Sequence, residues 1–582
     1  MLSYHPPWRD MRFVIEELLE LPRQWSEMPA FSGVDATIAR ELIDQAGRFA
    51  CDYLLPCNAT GDEQGARLEG RDVYTPRGFP EAYRVFQQNG WPSLPFATAD
   101  GGQGLPILLN TAIYEMFLAT NHAWSMYTAL LLPAYESLSH SASPELRARY
   151  LSKIVTGEWL VTMCLSEPQA GSDLGLISTR AVPQADGSHA LSGTKIFISS
   201  GDHDLTHDIL HLVLARLPDA VPGPKGLSLF VAAKWREDGS RNGIFVDGVE
   251  KKMGVKASAT CVLRFDGATA WLVGEPHRGL AAMFPMMNSA RLLSGVAGLG
   301  EAETAYQNAW RYASERHQLR AVHARGPGPS ALIEHPAIRR LLLTLRARAE
   351  GSRFLCYQVA HLLDQSNHAA DPQQRERAQR LALLLTPIVK AAITTAGFDN
   401  ASEALQIFGG HGYLRDSGIE QTLRDARIGP IYEGTNQIQA IDLLARKGLA
   451  DGAAGLNELF DWIDAGVPAQ AAHGSALRQH IGQMRDFTRD IAEAAGGDAE
   501  LPLRIADDYL AAMALLLIGQ GFARADALAA RAAGQGRGDA DFYGAKRDTA
   551  RFFVEFMLPE VNARLTQMRA ARVWLPQLTS AT

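Results

Sequence analysis

At Trp159 the spacing of apolar residues changes from helical, three and four apart, to alternation, and near Gly279 it changes back. A chain written this way is neither one helical bundle nor one sheet, because the two periods bury their apolar faces in different ways. The alternating region offers strand candidates at 160–165, 178–182, 190–191, 195–199, 209–215, 227–232, 244–249 and 260–265, with turn residues between them. Short strands at this spacing predict an antiparallel sheet or small barrel. With 582 residues, several times the roughly 100–200 of one domain, the fold class expected is mainly α with an inserted β domain. The expected segments are an N-terminal extension (1–35), a helical domain (36–158), the β domain (159–277), a helical bundle (278–450) and an added helical domain (451–582). Helices in the last segment are expected at 456–463, 477–495, 505–533 and 545–571, and 324–330 reads as a loop. Residues 11–19 read as a short strand or helix behind an extended arm.

Charge and composition exclude several classes. The formal net charge is −8, which disfavours a protein built to wrap nucleic acid. In 451–582 Asp498, Glu500, Asp507 and Asp508 interrupt Arg489, Arg504 and Arg524, so no sustained basic face forms. The five cysteines are scattered, with no C-x-x-C pair, a pattern for a reducing compartment without a disulfide framework or a zinc site. No residue set suggests a metal. The N-terminus has neither a basic leader nor an apolar core. The apolar run 511–519 is shorter than the about 20 residues a spanning helix needs. A cytoplasmic protein with no membrane span is expected.

Two glycine-bearing stretches carry the strongest chemical signal, QIFGGHG at 406–412 and IYEGTNQIQ at 431–439. Gly409 and Gly410 are placed to end a helix, and Thr435 to cap a new one from Asn436 to Leu444. Glu433 then lies on the turn between them. Spacing alone leaves two readings open for it, a dipole partner at a helix start or a carboxylate aimed at a ligand.

Two further stretches, read together with this pair, resolve it by resemblance. MCLSEPQAGSD at 163–173 resembles the first signature of the acyl-CoA dehydrogenase superfamily, C-x-[ST]-E-P-x-A-G-S-D. KIFISS at 195–200 is similar to its K-x-[WF]-I-[ST]-N strand, with Ser200 in place of Asn. The 406–439 pair resembles its C-terminal signature, in which the glutamate of I-Y-E-G-T is the base. The likeness covers about 36–450 and implies the superfamily's fold: helical N-domain, β-barrel-like middle domain, C-terminal helical bundle. It also implies FAD as cofactor, held by Leu165, Ser166, Phe197, Ser199, Arg316, Gln318, Gln406, Gly410, Thr435 and Gln437, and an acyl-CoA substrate beside Ser172, Asn288 and Arg291. Glu433 is the implied base, taking the α-proton while the β-hydrogen leaves as hydride to flavin N5, to give a trans-2-enoyl-CoA. Some branches carry the base near position 290; alanine there cannot act. The arm from Tyr4 to Phe13, the run 250–258 and the helical tail resemble the long branch that includes 3-methylmercaptopropionyl-CoA dehydrogenases and related fatty acyl-CoA dehydrogenases. That branch implies a homodimer, with an electron-transfer flavoprotein as acceptor. Acyl-CoA oxidases and the DNA-binding alkylation-response flavoproteins are the alternatives, together with a silent scaffold that keeps the fold.

Overall fold

The computed structural model describes residues 2–324, 326–535 and 539–574; Arg325 of the expected 324–330 loop, and residues 536–538 and 575–582 of the expected last domain, lie outside the described residues. The chain divides into two bodies, Leu42–Leu293 and a second formed by Met1–Glu41 with Ser294–Thr582. Mainly helical structure with one inserted β region is what the change of period predicts.

In the first body, an aromatic cluster holds the helices together: Phe49 meets Phe117 at 5.2 Å between ring centroids, and Phe86 meets Trp124 at 5.4 Å. Every residue of the Ile107–Thr120 helix is buried, so it shows no polar face at all. Two short strands interrupt the region expected to be helical throughout, β1 (Arg67–Glu69) and β2 (Asp72–Tyr74), paired antiparallel. Gly70, at φ +66°, makes the turn between them, and strands of three residues leave no period to read.

The β region contains β3 (Trp159–Cys164), β4 (Arg180–Pro183), β5 (His189–Ser199), β6 (Asp208–Arg216), β7 (Leu227–Ala233), β8 (Ile244–Val249) and β9 (Thr260–Val273). The two candidates at 190–191 and 195–199 are one strand, β5, broken by register shifts against β9. The order β3–β6–β4–β5–β9–β7, with β7 returning to pair β6, closes the sheet on itself. The expectation of an antiparallel sheet is corrected at β6, which two strands meet in parallel: β3, from Trp159 opposite Asp208 to Cys164 opposite Val213, and β4, with Arg180 opposite Arg216. The long excursion between these strands makes a parallel return geometrically free. Tyr127 ties the helices to the sheet, its hydroxyl donating to the Ala257 carbonyl (2.9 Å) and accepting from the Ala259 amide (2.8 Å).

The second body is a helical assembly into which the N-terminal residues and the C-terminal helices are both built. The arm is clamped by side chains of the Gly279–Glu315 helix: Asn308 exchanges hydrogen bonds with the backbone of Ser3 (3.0 and 2.8 Å), and Gln307 with that of His5 (2.9 and 2.8 Å). Behind it residues 8–18 are helical. Two helices cross at backbone contact in the core, since a Cβ on Gly298 would lie 2.5 Å from the Ile393 carbonyl oxygen, and one on Gly397 2.6 Å from that of Gly298. The stretch Pro372–Tyr413, not singled out from the sequence, holds an 18-residue window of mean hydropathy 1.7 and is long and apolar enough to cross a bilayer. Of that window 72% is buried inside the protein. The single helix expected over 545–571 is divided at Leu558 and Pro559, between a helical stretch at 540–557 and the helix Glu560–Val573, because proline lacks the N–H that would continue it.

Candidate active site

In the first body the chain leaves β3 at Leu165 and is fastened at once to β5. Lys195 Nζ donates to the Leu165 carbonyl (3.0 Å), and the Ile196 amide donates to the Ser166 carbonyl (2.9 Å), joining the two motifs backbone to backbone. Glu167, 2% exposed, anchors the turn that follows. One carboxylate oxygen accepts from Lys195 Nζ (2.9 Å) and from the amide and hydroxyl of Thr179 (3.0 and 2.5 Å). The other accepts from Gln169 Nε2 (2.6 Å) and from the amide and hydroxyl of Ser178 (2.7 and 2.8 Å). Burial works against the charged form, but the Lys195 ammonium and these donors prevail and hold the carboxyl at about 2. The Glu-Pro turn is thus a rigid mount for Leu165 and Ser166, while Ser172 stands exposed beyond it.

Phe197 sits in the register shift of β5 between Lys195 and Ile198. Its φ is +58° and the residue is 63% exposed. A non-glycine residue in left-handed backbone carries strain of order 1–2 kcal/mol, and here the strain turns a large flat ring out of the sheet instead of into it. Ser199, two residues on, is opposite Thr260 and half-buried. In the Gly279–Glu315 helix Arg291 is buried, and its Nη1 donates to Asn288 Oδ1 (3.4 Å). Sequence reasoning misses Glu136, which hydrogen-bonds Ser289 on that helix; burial pushes its carboxyl up to about 8. A lone glutamate in a helical stretch reads as a solvated charge and carries no chemical signal of its own.

In the second body the Tyr312 ring stacks on Phe408 at 4.2 Å and 15°, and its hydroxyl meets His411 Nδ1 at 3.0 Å. Arg316 and Gln318 follow Tyr312 by one to two turns, and Gly410 follows Phe408 by two residues, so the stack brings the two segments together. Arg316, Gln318, Gln406 and Gly410 are all exposed. Gly409 ends the Thr394–Phe408 helix at φ +59°, and a Cβ on it or on Gly410 would meet nothing within 4 Å. The backbone there lies open to a ligand.

The Glu433 turn is held from beneath. Glu433 has φ +55° and Gly434 φ +83°. Thr435 caps the Asn436–Ile441 helix, its hydroxyl oxygen accepting from the Ile438 amide at 3.3 Å. Gln437 is exposed on that helix. Gln439 is fully buried, and its Nε2 donates to the carbonyls of Glu433 (3.1 Å) and Gly434 (3.2 Å). Asn436 fastens the helix start to the Val389–Ile393 segment, accepting from Lys390 Nζ (2.9 Å) and donating to the Ala391 carbonyl (3.0 Å). Glu433 is half-buried above this frame. Sequence reasoning finds the turn and its cap and overlooks Gln439, although the residue stands six positions from Glu433.

Comparison with known proteins decides the family. Residues 38–158, 162–268 and 277–448 match the N-terminal, middle and C-terminal domains of acyl-CoA dehydrogenases, and 455–575 matches an acetyl-CoA dehydrogenase C-terminal-like domain. The chain is 40% identical over 575 residues to the 3-methylmercaptopropionyl-CoA dehydrogenase of Ruegeria pomeroyi, covering 97% of each. The chain belongs to the acyl-CoA dehydrogenase family. It is also 33% identical over 594 residues to a broad-specificity linear acyl-CoA dehydrogenase of Mycobacterium tuberculosis, covering 96% of each. In fold, this acyl-CoA dehydrogenase is similar to Caenorhabditis elegans ACDH-11 solved with C11-CoA. The TM-score is 0.79 at 20% identity, over 96% of this chain and 92% of that one.

As a member of the family the protein is an FAD-dependent oxidoreductase, and its residues fit that cofactor. The out-turned Phe197 ring offers a flat apolar face, hydroxyls stand at Ser166 and Ser199, and the open backbone at Gly409 and Gly410 admits close approach. Arg316 is a guanidinium suited to phosphate oxygens.

Proposed function

We propose that this enzyme dehydrogenates an acyl-CoA thioester between Cα and Cβ, with Glu433 as the base that receives the α-proton. The observation that carries the reading is the base turn itself: a non-glycine residue held at φ +55° by a fully buried amide that grips two successive carbonyls. A carboxylate needed only to complement a helix dipole requires no such frame. Bound FAD supplies the acceptor for the two electrons and the β-hydrogen. The protein's own part is to orient and to move a proton. Gln439 and Asn436 fix the Glu433 backbone, so that the carboxylate meets the α-carbon without first having to be ordered. Leu165, Ser166 and Ser199 offer backbone and hydroxyl groups for the flavin, and Phe197 a face to lie against it. Arg316, Gln318, Gln406, Gly410, Thr435 and Gln437 are proposed to hold the rest of the cofactor, and Ser172, Asn288 and Arg291 the acyl-CoA.

For the acyl group we propose a short linear or thioether chain. Support comes from the 40% identical relative, named for 3-methylmercaptopropionyl-CoA, and the 33% identical one, named for linear acyl-CoAs. A homodimeric, cytoplasmic enzyme passing electrons to an electron-transfer flavoprotein is the proposed setting. Anaerobic flavin bleaching against butyryl-, octanoyl-, isobutyryl- and 3-methylmercaptopropionyl-CoA tests the substrate reading. The two straight short chains should bleach fastest, and a preference for isobutyryl-CoA would overturn it. Peroxide release in air at the rate of bleaching would make the enzyme an oxidase instead.

A further inference from the structure

Arg216 ends β6 in the first body, and its side chain is given over to main chain. Nε donates to the Ile177 carbonyl (2.6 Å), Nη1 to the Val221 carbonyl (3.0 Å), and Nη2 to the carbonyls of Gly175 (2.6 Å) and Gly223 (3.0 Å). A guanidinium fork ordinarily meets carboxylate or phosphate oxygens. Among the described residues this one meets carbonyls only, with four of the five N–H groups an arginine carries. Its own amide donates to the Thr179 carbonyl (2.8 Å), which fixes the root of the side chain.

The four carbonyls belong to two loops, 171–177 and 217–226. The loops touch, since a Cβ on Gly175 would lie 3.2 Å from Pro224 Cδ and 3.5 Å from Gly223 Cα. Among the described residues, however, no hydrogen bond passes directly from one loop to the other. A Cβ on Gly226 would lie 2.9 Å from Arg216 Nη1, so the second loop is folded close around the guanidinium. Contact without directional bonds leaves two loops free to slide, and a planar fork that holds two carbonyls in each removes that freedom.

The first loop carries Ser172. Its near end is set by reciprocal backbone bonds between Glu167 and Ala170 (2.9 and 3.0 Å), and Gln169 Nε2 holds the Leu176 carbonyl (3.2 Å). Asp173 Oδ1 accepts from the Gly175 amide (2.9 Å) and opens the short helix Leu174–Leu176. Arg216 takes the carbonyls on either side of Leu176, so Ser172 stands on a span mounted on Glu167 at one end and on Arg216 at the other. We propose that Arg216 is a positioning residue for acyl-CoA, locking the two loops into one rim and holding Ser172 where the substrate meets it. The inference rests on the reading of Ser172 as an acyl-CoA contact, and Arg216 need not touch the substrate itself. Lysine cannot replace it, because three donors on one nitrogen do not span carbonyls of two loops.

The test uses the FAD-loaded full chain and the dependence of anaerobic flavin bleaching on butyryl-CoA concentration, which separates half-saturation from the limiting rate. Arg216→Met and Arg216→Lys should each raise the half-saturating concentration at least tenfold, with the limiting rate within twofold of the parent and FAD content unchanged. Arg216→Lys keeps the charge and the aliphatic stem, and it carries the same test if Arg216→Met does not fold. Amide hydrogen exchange without substrate should quicken in 173–177 and 220–226 together. Ser172→Ala should raise half-saturation at least threefold, and Ser172→Ala/Arg216→Lys should fall short of the product of the single effects, because both act through one contact. Unchanged half-saturation in folded Arg216→Lys beside a raised one in Ser172→Ala would overturn the proposal and leave the Ser172 reading standing. Unchanged half-saturation in Ser172→Ala would remove that reading and the proposal with it. A loss confined to the limiting rate, multiplicative effects, or quickened exchange in one loop only would also overturn the proposal.

Discussion

Replacing Gln439 by leucine removes the two hydrogen bonds that hold the turn of Glu433, the proposed base, while keeping a side chain of similar size. In the native turn Nε2 serves the carbonyls of Glu433 and Gly434 at 3.1 and 3.2 Å, entirely out of solvent. Each such bond is worth a net of about 0.5–1.5 kcal/mol, and together they oppose the about 1–2 kcal/mol that left-handed backbone costs Glu433. Without them the turn has about 1–3 kcal/mol of reason to relax. At roughly 1.4 kcal/mol per tenfold in rate, the rate of flavin bleaching should fall by about 10–100-fold. Stopped-flow bleaching under anaerobic conditions reads this rate separately from acyl-CoA affinity. FAD content, read from the visible spectrum, should be unchanged. Gln439→Glu supplies a readout that a packing role would not move: ionised, the side chain cannot donate, and protonated, it donates one bond, so its rate should recover relative to Gln439→Leu as pH falls. Bleaching within twofold of the parent in Gln439→Leu, with FAD retained, would refute the claim that this amide positions the base.

Three further outcomes follow from groups outside the turn. Glu167→Gln leaves the Lys195 ammonium buried without its carboxylate and should destabilise the first body by about 3–5 kcal/mol, with Glu167→Gln/Lys195→Met regaining part of that loss in thermal denaturation. Because the folded Glu167 carboxyl is held at about 2, below its ordinary 4.5, its stabilisation is present above pH 4.5 and is lost as pH falls toward 2; the double variant should lose that acid sensitivity. Glu136 has the opposite sign: burial raises it from 4.5 to about 8, so its contribution is complete below its ordinary value and is lost as pH rises to the folded one, and Glu136→Gln should flatten the fall in Tm between pH 4.5 and about 8. Gly298→Ala places a Cβ 2.5 Å from the Ile393 carbonyl oxygen and should cost about 1–3 kcal/mol by overpacking, seen as a lower Tm with the FAD spectrum intact.

The parts of this fold legible in the sequence are those with local causes. The change of period at Trp159 separates β from helix because side-chain alternation is a property of neighbouring residues. Gly409 and Thr435 end and begin helices as their conformational freedom and capping oxygen require. Features set by distant partners stay hidden. The parallel pairing of β3 with β6 joins residues about fifty positions apart, and the network of Asp10, Glu303, Glu350, Arg353 and Lys546 gathers side chains from opposite ends of the chain. The left-handed backbone of Phe197 is hidden as well, because nothing in the local pattern of KIFISS places a phenylalanine at positive φ. Gln439 is hidden for a different reason: a glutamine on the first turns of a helix reads as solvated surface, and only the left-handed turn above it gives its amide two carbonyls to hold.

The central claim is that Glu433 takes the α-proton, and Glu433→Gln tests it most directly, since the amide keeps the shape of the side chain and removes the base. The variant should purify with FAD bound at the parental ratio and still bind acyl-CoA, while anaerobic bleaching by butyryl-CoA falls by roughly a thousandfold or more, on the order of 4 kcal/mol. FAD-loaded Glu433→Gln that bleaches at the parental rate would contradict the account.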